Sequence, residues 1–398
     1  MRLDPENAAI SASELVRRAR EMAPLLASRA AEADALRRIP DATIAAFHEA
    51  GFFRMLQPAR WGGLEVHPST YFDVQMIVAA ACPSSAWVLG VVGVHNWQLA
   101  LFPLQAQQEV WGEDSSVLIS SSYAPTGKVT RVEGGYRVSG RWSFSSGCDH
   151  AGWVFLGGFV PPEAEGKAPD MRTFLLPRGD YTIDDTWHVA GLKATGSKDI
   201  VVENAFVPEH RTHRLIDGYK RQSPGNADNP APLFRLPFGQ IFVRSVSTTA
   251  IGVAQGALDA YLSIAAKRVA AGDGSKVADE QATQLCCARA ATIIDEVKLV
   301  LHRNMGEMMD RCQAGEDIPL DRRVRYRHDS ANAVARCVEA VDLLFTASGG
   351  RAIFLNSPML RYFLDVHAAR AHYANNPDKP GRNFGSVQLG LKNQDYFL

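Results

Sequence analysis

Hydrophobic residues in the first part of the chain recur at helical spacing. Leu15, Ala19, Met22, Leu25 and Leu26 lie mostly three or four positions apart, with arginines and glutamates between them. Such a pattern predicts an amphipathic helix that packs one apolar stripe against a core.

Further helices are predicted in the same region. Asp41 can serve as the N-cap of a second helix, which Gly51 ends. Residues 71–81 and 85–99 are also helical by pattern. The second of these segments is almost wholly apolar, so we expect it to be buried.

Between about residues 116 and 207 the pattern changes to short β-branched and aromatic runs separated by turn residues. Gly134 and Gly135 stand between two of these runs, as in a hairpin. Short strands at this spacing are typical of a small sandwich or barrel. The predicted strands cover residues 117–121, 128–132, 136–138, 153–157, 173–176, 181–183 and 200–206.

Long helical patterns return after Phe242 and predict a four-helix bundle over residues 245–271, 279–312, 322–347 and 358–373. The fold class is therefore mainly α with a β middle domain. We expect an N-terminal helical domain over residues 1–115, a β-barrel or sandwich over 116–225, and a C-terminal bundle over 226–398.

Composition narrows the classes of function. The chain has 398 residues, enough for two or three domains, and 42 basic residues balance 43 acidic ones. A nucleic-acid partner is not expected, and the arginine-rich run at 322–327 is interpreted as a solvated helix face. The sequence shows neither an apolar leader nor an 18-residue apolar run. We therefore expect no membrane-spanning segment and a cytoplasmic location.

Cysteine and histidine spacing argues against metal or disulfide chemistry. The six cysteines form no CxxC pair, and the eleven histidines form no HExxH motif. We therefore predict no metal site and no disulfide framework.

Seven short motifs, in order along the chain, accompany the helical–β–bundle arrangement. They are LRRIP at 36–40, LQP at 56–58, WGGL at 61–64, GVHNW at 93–97, SSSYAP at 120–125, SSGCDH at 145–150 and TGS at 195–197. Together they resemble the acyl-CoA dehydrogenase superfamily. Within it, they resemble the two-component flavin-dependent monooxygenases, particularly the secosteroid and 4-hydroxyphenylacetate hydroxylases.

The resemblance implies the oxygenase component of such a system. A separate NAD(P)H:flavin reductase would supply reduced FMN or FAD, which reacts with O2 to a C4a-hydroperoxide that hydroxylates an electron-rich aromatic ring. No GxGxxG motif follows a predicted strand, so the chain itself is not expected to bind a nicotinamide. A homotetramer is also implied.

Several residues are implied to contact the flavin. Ser146 matches the hydroxyl residue that hydrogen-bonds flavin N5, although the residues alone fit a turn serine equally well. Thr195 and Ser197 belong to the TGS motif. Arg268 matches an arginine near the flavin phosphate, with a solvated helix end as the alternative.

Four large aromatic residues could line the binding site of the isoalloxazine or of the substrate, although such residues belong to the core by default. They are Trp142, Phe144, Trp187 and Phe238. Trp142 is assigned to the flavin and Phe238 to the substrate.

His95 follows a buried apolar run, where a core histidine would be the plainer interpretation. The resemblance implies instead that it faces the substrate hydroxyl, where an imidazole can accept or stabilise a phenolic proton. Ser121 or its neighbour Ser122 matches the substrate-side serine, and we favour Ser121.

His372 and Tyr373 stand where acyl-CoA dehydrogenases carry the sequence Tyr-Glu-Gly-Thr with its catalytic glutamate. Without that carboxylate, α,β-dehydrogenation of a thioester has no evident base. The resemblance implies that His372 manages the peroxide proton and that Tyr373 contacts the substrate. The alternative to this role is a structural histidine at the C-terminal end of a helix, where the helix dipole stabilises it.

The substrate is expected to be an electron-rich, largely apolar aromatic, phenolic by preference, with indoles open. Gly239 occupies a position where the hydroxyphenylacetate enzyme has an arginine, which argues against a small carboxylated phenol. Three other functions remain as alternatives: an acyl-CoA dehydrogenase, an N-hydroxylating monooxygenase and a non-catalytic flavin-binding protein.

Overall fold

The computed structural model describes residues 10–162, 166, 169–269, 272 and 274–398. Its longer helices are α1 (Ala12–Leu36), α2 (Asp41–Glu49), α3 (Pro68–Ala81), α4 (Pro83–Leu99), α5 (Leu104–Trp111), α6 (Leu215–Lys220), α7 (Phe238–Ala265), α8 (Gln281–Gln313), α9 (Leu320–Ser348), α10 (Pro358–Arg370) and α11 (Asp378–Gln388).

The N-terminal helices follow the predicted pattern closely. Helix α1 begins after Ser11, whose hydroxyl accepts a hydrogen bond from the Glu14 amide at 3.2 Å. The prediction for α2 is wrong at its start, because Pro40 occupies the N-cap and Asp41 is the first helical residue. There the Asp41 carboxylate still opposes the positive end of the helix dipole. Every residue of α4 is buried, as its apolar pattern predicted.

The middle of the chain forms two four-stranded sheets, in the orders β1-β4-β5-β8 and β2-β3-β7-β6. Strand β1 pairs with β4 in parallel, and every other pair is antiparallel. A hydrophobic core fills the space between the sheets. The strands are β1 (Ile119–Ser122), β2 (Lys128–Val132), β3 (Gly135–Ser145), β4 (Trp153–Val160), β5 (Asp170–Pro177), β6 (Thr182–Asp184), β7 (Lys198–Pro208) and β8 (Thr212–Arg214).

Strand β3 is longer than its hydrophobic pattern indicates. It continues past Val138 to Ser145 because its polar second half pairs with β7. Register shifts interrupt this pairing between Val138 and Gly140, and again between Trp142 and Ser145. The second shift is a β-bulge that changes which side chains face the core.

Helices α7 to α10 form the predicted bundle. The interpretation of residues 322–327 as a solvated face is wrong for Arg323 and Arg327, which are buried on α9. Helix α7 starts at Phe238, immediately after Pro237, seven positions before its predicted start. Its predicted end at residue 271 lies outside the described residues, and the helix ends at Ala265. Helix α10 ends at Arg370 rather than at Tyr373, which begins a short 3-10 turn.

Among the described residues, α7 alone is long and apolar enough to cross a bilayer. However, 94% of its most apolar window is buried inside the protein. Its composition reflects a position in the centre of the bundle, against α3, α4, α8, α9 and α10.

Helix α10 also ties the bundle to the β domain. The buried carboxylate of Asp365 accepts a hydrogen bond from the Leu192 amide at 2.6 Å. Leu192 has a left-handed backbone, with φ of 50°, and leads into the 3-10 turn Lys193–Thr195. This contact fixes the loop that carries the TGS motif.

Candidate active site

His95 lies on α4 and is fully buried. Its Nδ1 atom is 2.6 Å from the Ile119 carbonyl oxygen, which can only accept, so Nδ1 carries the hydrogen. The opposite ring atom, Nε2, is buried without a hydrogen-bond partner. Burial lowers the pKa of His95 to about 4. The ring is therefore neutral at pH 7 and presents an unpaired acceptor.

Strand β1 places the two candidate serines differently. The Ser122 hydroxyl donates to the Ser143 carbonyl at 2.6 Å, which is a contact within the β domain. The Ser121 hydroxyl contacts the phenol of Tyr123, which also donates to the Gln98 amide oxygen. The Tyr123 ring lies 6.2 Å from that of His95. Ser121, rather than Ser122, is thus on the His95 side.

The three predicted hydroxyl residues at the flavin meet in one chain of hydrogen bonds. The Oγ atoms of Ser146 and Ser197 are 2.7 Å apart, and those of Ser197 and Thr195 are 2.6 Å apart. The indole of Trp87 donates to Ser146 at 3.0 Å, and Thr195 donates to the Leu192 carbonyl at 3.0 Å. All three hydroxyl residues are buried.

His372 reaches the same place from the end of α10. Its ring lies edge-on to Trp87 at 5.5 Å and tilted to Phe242 at 6.5 Å. Its Nδ1 accepts a hydrogen bond from the Ala374 amide at 3.1 Å, so the hydrogen of the neutral ring is on Nε2. Burial, and then the nearby charge of Arg327, lowers the pKa of His372 to about 4.

An aromatic cluster lies between the two histidines. Phe238 and Phe242 at the start of α7 contact the Tyr123 ring at 5.8 and 5.0 Å. Phe397, which no sequence pattern singled out, belongs to the same cluster, and its ring lies 5.5 and 5.8 Å from those of Phe238 and Phe242. Trp97 stacks on Phe238 at 6.2 Å.

The tail, residues 389–398, carries Phe397 into this cluster. The buried Arg323 donates to the Leu398 carbonyl, and Asn383 binds both Asn393 and Gln394 at 2.8 and 2.9 Å. A Cβ atom added to Gly239 would lie 2.5 Å from the Phe397 carbonyl carbon, which is too close. Only glycine allows this packing.

The assignment of Trp142 to the flavin is wrong. Its side chain is 0% exposed in the core between the two sheets, and its indole donates to the Gly157 carbonyl at 2.8 Å. Phe144, two residues later, is instead 69% exposed and faces Trp187 at 6.0 Å. The bulge in β3 separates the two rings.

Phe144 makes the site suitable for a flat aromatic ligand. It has a φ of 69°, a strained conformation for a residue with a side chain, and it leaves a large apolar ring exposed beside Ser146. An isoalloxazine could cover that ring while its polar edge meets the Ser146 hydroxyl. The side chains present therefore fit a flavin.

Two of the predicted residues lie apart from this group. Arg268 follows the far end of α7, a helix of 28 residues that spans about 42 Å, and donates to the Ser348 carbonyl at 2.9 Å. Within one chain it does not join the site, and its predicted contact with the flavin phosphate stays a prediction. Tyr373 is 63% exposed, with Lys379 5.6 Å from its ring.

Two family models match the chain. The acyl-CoA dehydrogenase N-terminal domain matches residues 12–114, and the acyl-CoA dehydrogenase C-terminal domain matches residues 245–377. These matches lie on the first helical segment and the bundle, on either side of the two sheets.

Known proteins resemble the chain over nearly its whole length. It is 43% identical to the flavin-dependent monooxygenase oxygenase subunit HsaA of Rhodococcus jostii, over 92% of this chain and 96% of the relative. It is 34% identical to the oxygenase component of an FADH2-dependent resorcinol hydroxylase from a Rhizobium strain, over 95% and 94%. The crystal structure of 3-HSA hydroxylase from Rhodococcus sp. RHA1 superposes with a TM-score of 0.93 at 41% identity, covering 97% and 99%.

Proposed function

The chain belongs to the flavin-dependent monooxygenases of the acyl-CoA dehydrogenase fold, as an oxygenase component, and from this premise we propose how its residues act and on what. The substrate we propose is an apolar phenol bound between His95 and His372. The observation that carries this proposal is the pair of neutral imidazoles with opposite roles: an acceptor Nε2 on His95 and a donor Nε2–H on His372.

Reduced flavin, supplied by a separate reductase, would activate O2 for transfer of one oxygen atom to the ring of the substrate. Ser146 would hold the flavin edge, with Ser197 and Thr195 behind it, and Phe144 would face the isoalloxazine. Burial of the three hydroxyls supports a site that excludes water from the reactive face.

His95 would orient the phenol by accepting its hydrogen. Complete proton transfer is disfavoured, since a phenol with a pKa of about 10 would have to protonate an imidazole with a pKa of about 4. A hydrogen bond from the phenol to Nε2 still increases the electron density of the ring. It also satisfies the unpaired buried atom, which is costly to leave without a partner.

His372 would hold a proton on Nε2 at the opposite wall. Its low pKa keeps it neutral at pH 7, so it donates a hydrogen bond without adding a charge. A donor next to the reacting oxygen favours delivery of that oxygen to the substrate over its loss as hydrogen peroxide.

The aromatic cluster supports a largely apolar substrate. Phe238, Phe242, Phe397 and Tyr123 surround the space between the histidines, and their rings offer only apolar faces and one phenol. A carboxylated substrate would find apolar walls opposite its charge.

We assign the chain to a homotetramer in the cytoplasm. Ile353, Phe354 and Leu355 form an apolar patch that is 66%, 61% and 93% exposed, which favours coverage by a second copy. Arg268 lies near Gly349, at the start of this same segment, so a partner copy could bring it to a flavin phosphate. All six cysteines are free, as suits a reducing compartment.

The proposed activity can be tested with isotopic oxygen. The purified protein is mixed with reduced FMN or FAD, an apolar phenol such as 4-ethylphenol, and 18O2, and the product is analysed by mass spectrometry. We expect a catechol with one 18O atom. Absence of labelled product across a panel of phenols and indoles, or reduction of bound FAD by a coenzyme A thioester, would contradict the proposal.

A further inference from the structure

The hydrogen bonds around Ser146 have a fixed direction. One end of the chain is the Trp87 indole, which can only donate, and the other is the Leu192 carbonyl, which can only accept. Between them stand three hydroxyls, those of Ser146, Ser197 and Thr195, each with one hydrogen. The four links measure 3.0, 2.7, 2.6 and 3.0 Å.

Counting hydrogens leaves a single arrangement. Thr195 must use its hydrogen on the Leu192 carbonyl, because two acceptors would otherwise face each other at 3.0 Å. Ser197 must then donate to Thr195, and Ser146 must donate to Ser197. All three hydroxyl hydrogens are therefore used in hydrogen bonds between these residues. Ser146 accepts one bond from Trp87 and keeps one lone pair for a further donor.

Resting on the function proposed above, we propose that Thr195 and Ser197 are positioning residues that make Ser146 an obligatory acceptor and so select reduced flavin. N5 of reduced flavin carries a hydrogen and can donate to Ser146. N5 of oxidised flavin has only a lone pair and would meet another lone pair. The protein therefore retains the redox form that reacts with O2 and releases the spent form.

Equilibrium binding of FMN and FAD in both redox states tests this selection. Dissociation constants for the reduced form, measured anaerobically, and for the oxidised form give one ratio per protein. Thr195→Val keeps the shape of the side chain but removes its hydroxyl. Without that hydroxyl, Ser197 can turn its hydrogen towards Ser146 and donate to it. The hydrogen of Ser146 is then free to be donated to a flavin. We expect the preference for reduced flavin to fall about tenfold, because one mismatched buried hydrogen bond is relieved.

Two further variants separate hydrogen direction from packing. Trp87→Phe removes the donor at the opposite end but leaves the order of the three hydroxyls unchanged, so its ratio should remain within about twofold of wild type. Thr195→Ser restores the hydroxyl and should restore the ratio. An unchanged ratio in Thr195→Val, or an equal fall in Trp87→Phe, overturns the inference. Failure of the wild-type protein to bind flavin in either redox state would instead overturn the proposed function.

Discussion

His95 and Ile119 are joined by a 2.6 Å contact that sets the chemistry of the imidazole. The Ile119 carbonyl takes the hydrogen of Nδ1, and the other ring nitrogen is left bare in a buried position. A histidine that would commonly be interpreted as a core residue thereby has an unpaired acceptor atom, which in the proposed function receives the substrate hydroxyl.

Replacing His95 should weaken turnover without changing its pH dependence. His95→Ala removes the acceptor, and we expect kcat/KM for a phenol to fall about 10- to 100-fold, which corresponds to a loss of about 1.4 to 2.7 kcal/mol. Because the pKa of His95 is about 4, the ring stays neutral between pH 6 and 8. A wild-type inflection near pH 6.5 that His95→Asn abolishes would argue against this assignment.

His372→Ala should uncouple oxygen consumption from hydroxylation. Without the Nε2–H donor, more of the reduced flavin is expected to yield hydrogen peroxide, which a peroxidase assay measures against product formed. His367→Ala is the matched control, since His367 lies near the end of α10, five residues before His372, but pairs with Asp342 at a partly exposed position. Equal coupling in the wild type and in both variants would exclude the proposed role.

Phe397→Ala should change substrate preference. Loss of this ring opens the cluster beside Phe238, so the KM for 4-ethylphenol should rise about fivefold or more. The kcat/KM for a bulkier phenol, such as tetrahydro-2-naphthol, should increase relative to the kcat/KM for 4-ethylphenol. Tyr396→Ala is the control, because Tyr396 is 57% exposed and faces Tyr219 instead. The same shift in both variants would point to general disturbance of the tail.

Asp365 should make the free energy of unfolding depend on pH. Burial first, and then Asp34, raises its pKa to about 7, while the Leu192 amide, Arg361 and Lys193 act in the opposite direction. A raised carboxyl pKa means that the folded state holds the proton more tightly than the unfolded chain. The associated stability is therefore complete below about pH 4 and is lost as the pH rises through 7.

Asp365→Asn stays neutral at every pH and should gain stability relative to wild type on going from pH 5 to pH 8, by up to a few kcal/mol. Urea unfolding at both pH values measures this difference. Cys82 lies within the same electrostatic environment, and Cys82→Ala should leave the pH trend in place. A wild-type to variant difference that is the same at pH 5 and pH 8 would contradict the assignment.

Much of the fold follows from local patterns, whereas parts of the site depend on long-range packing. The wholly apolar pattern of α4 predicted its burial. The motif resemblance assigned Ser146, Ser197 and Thr195 to one site, and in the structure their hydroxyls are hydrogen-bonded to one another. Phe397 carried no such signal, because it meets Phe238 only through the path of the tail.

The error at Trp142 has a local cause. Residues two apart on a strand normally share a face, so Trp142 and Phe144 would be expected to face the same way. The bulge and the positive φ of Phe144 break this alternation, and nothing in the short run of serines around them signals it. Trp87 was also unassigned, although a buried indole needs an acceptor for its hydrogen.

The contact between Gly239 and the backbone at Phe397 links two positions that are far apart in sequence. Any larger residue at 239 would push the tail outward and take its aromatic ring with it. If the aromatic cluster binds the substrate as proposed, exchanging its specificity for that of a relative requires transplanting the start of α7 and residues 389–398 as one unit, since either graft alone would leave a clash or a void.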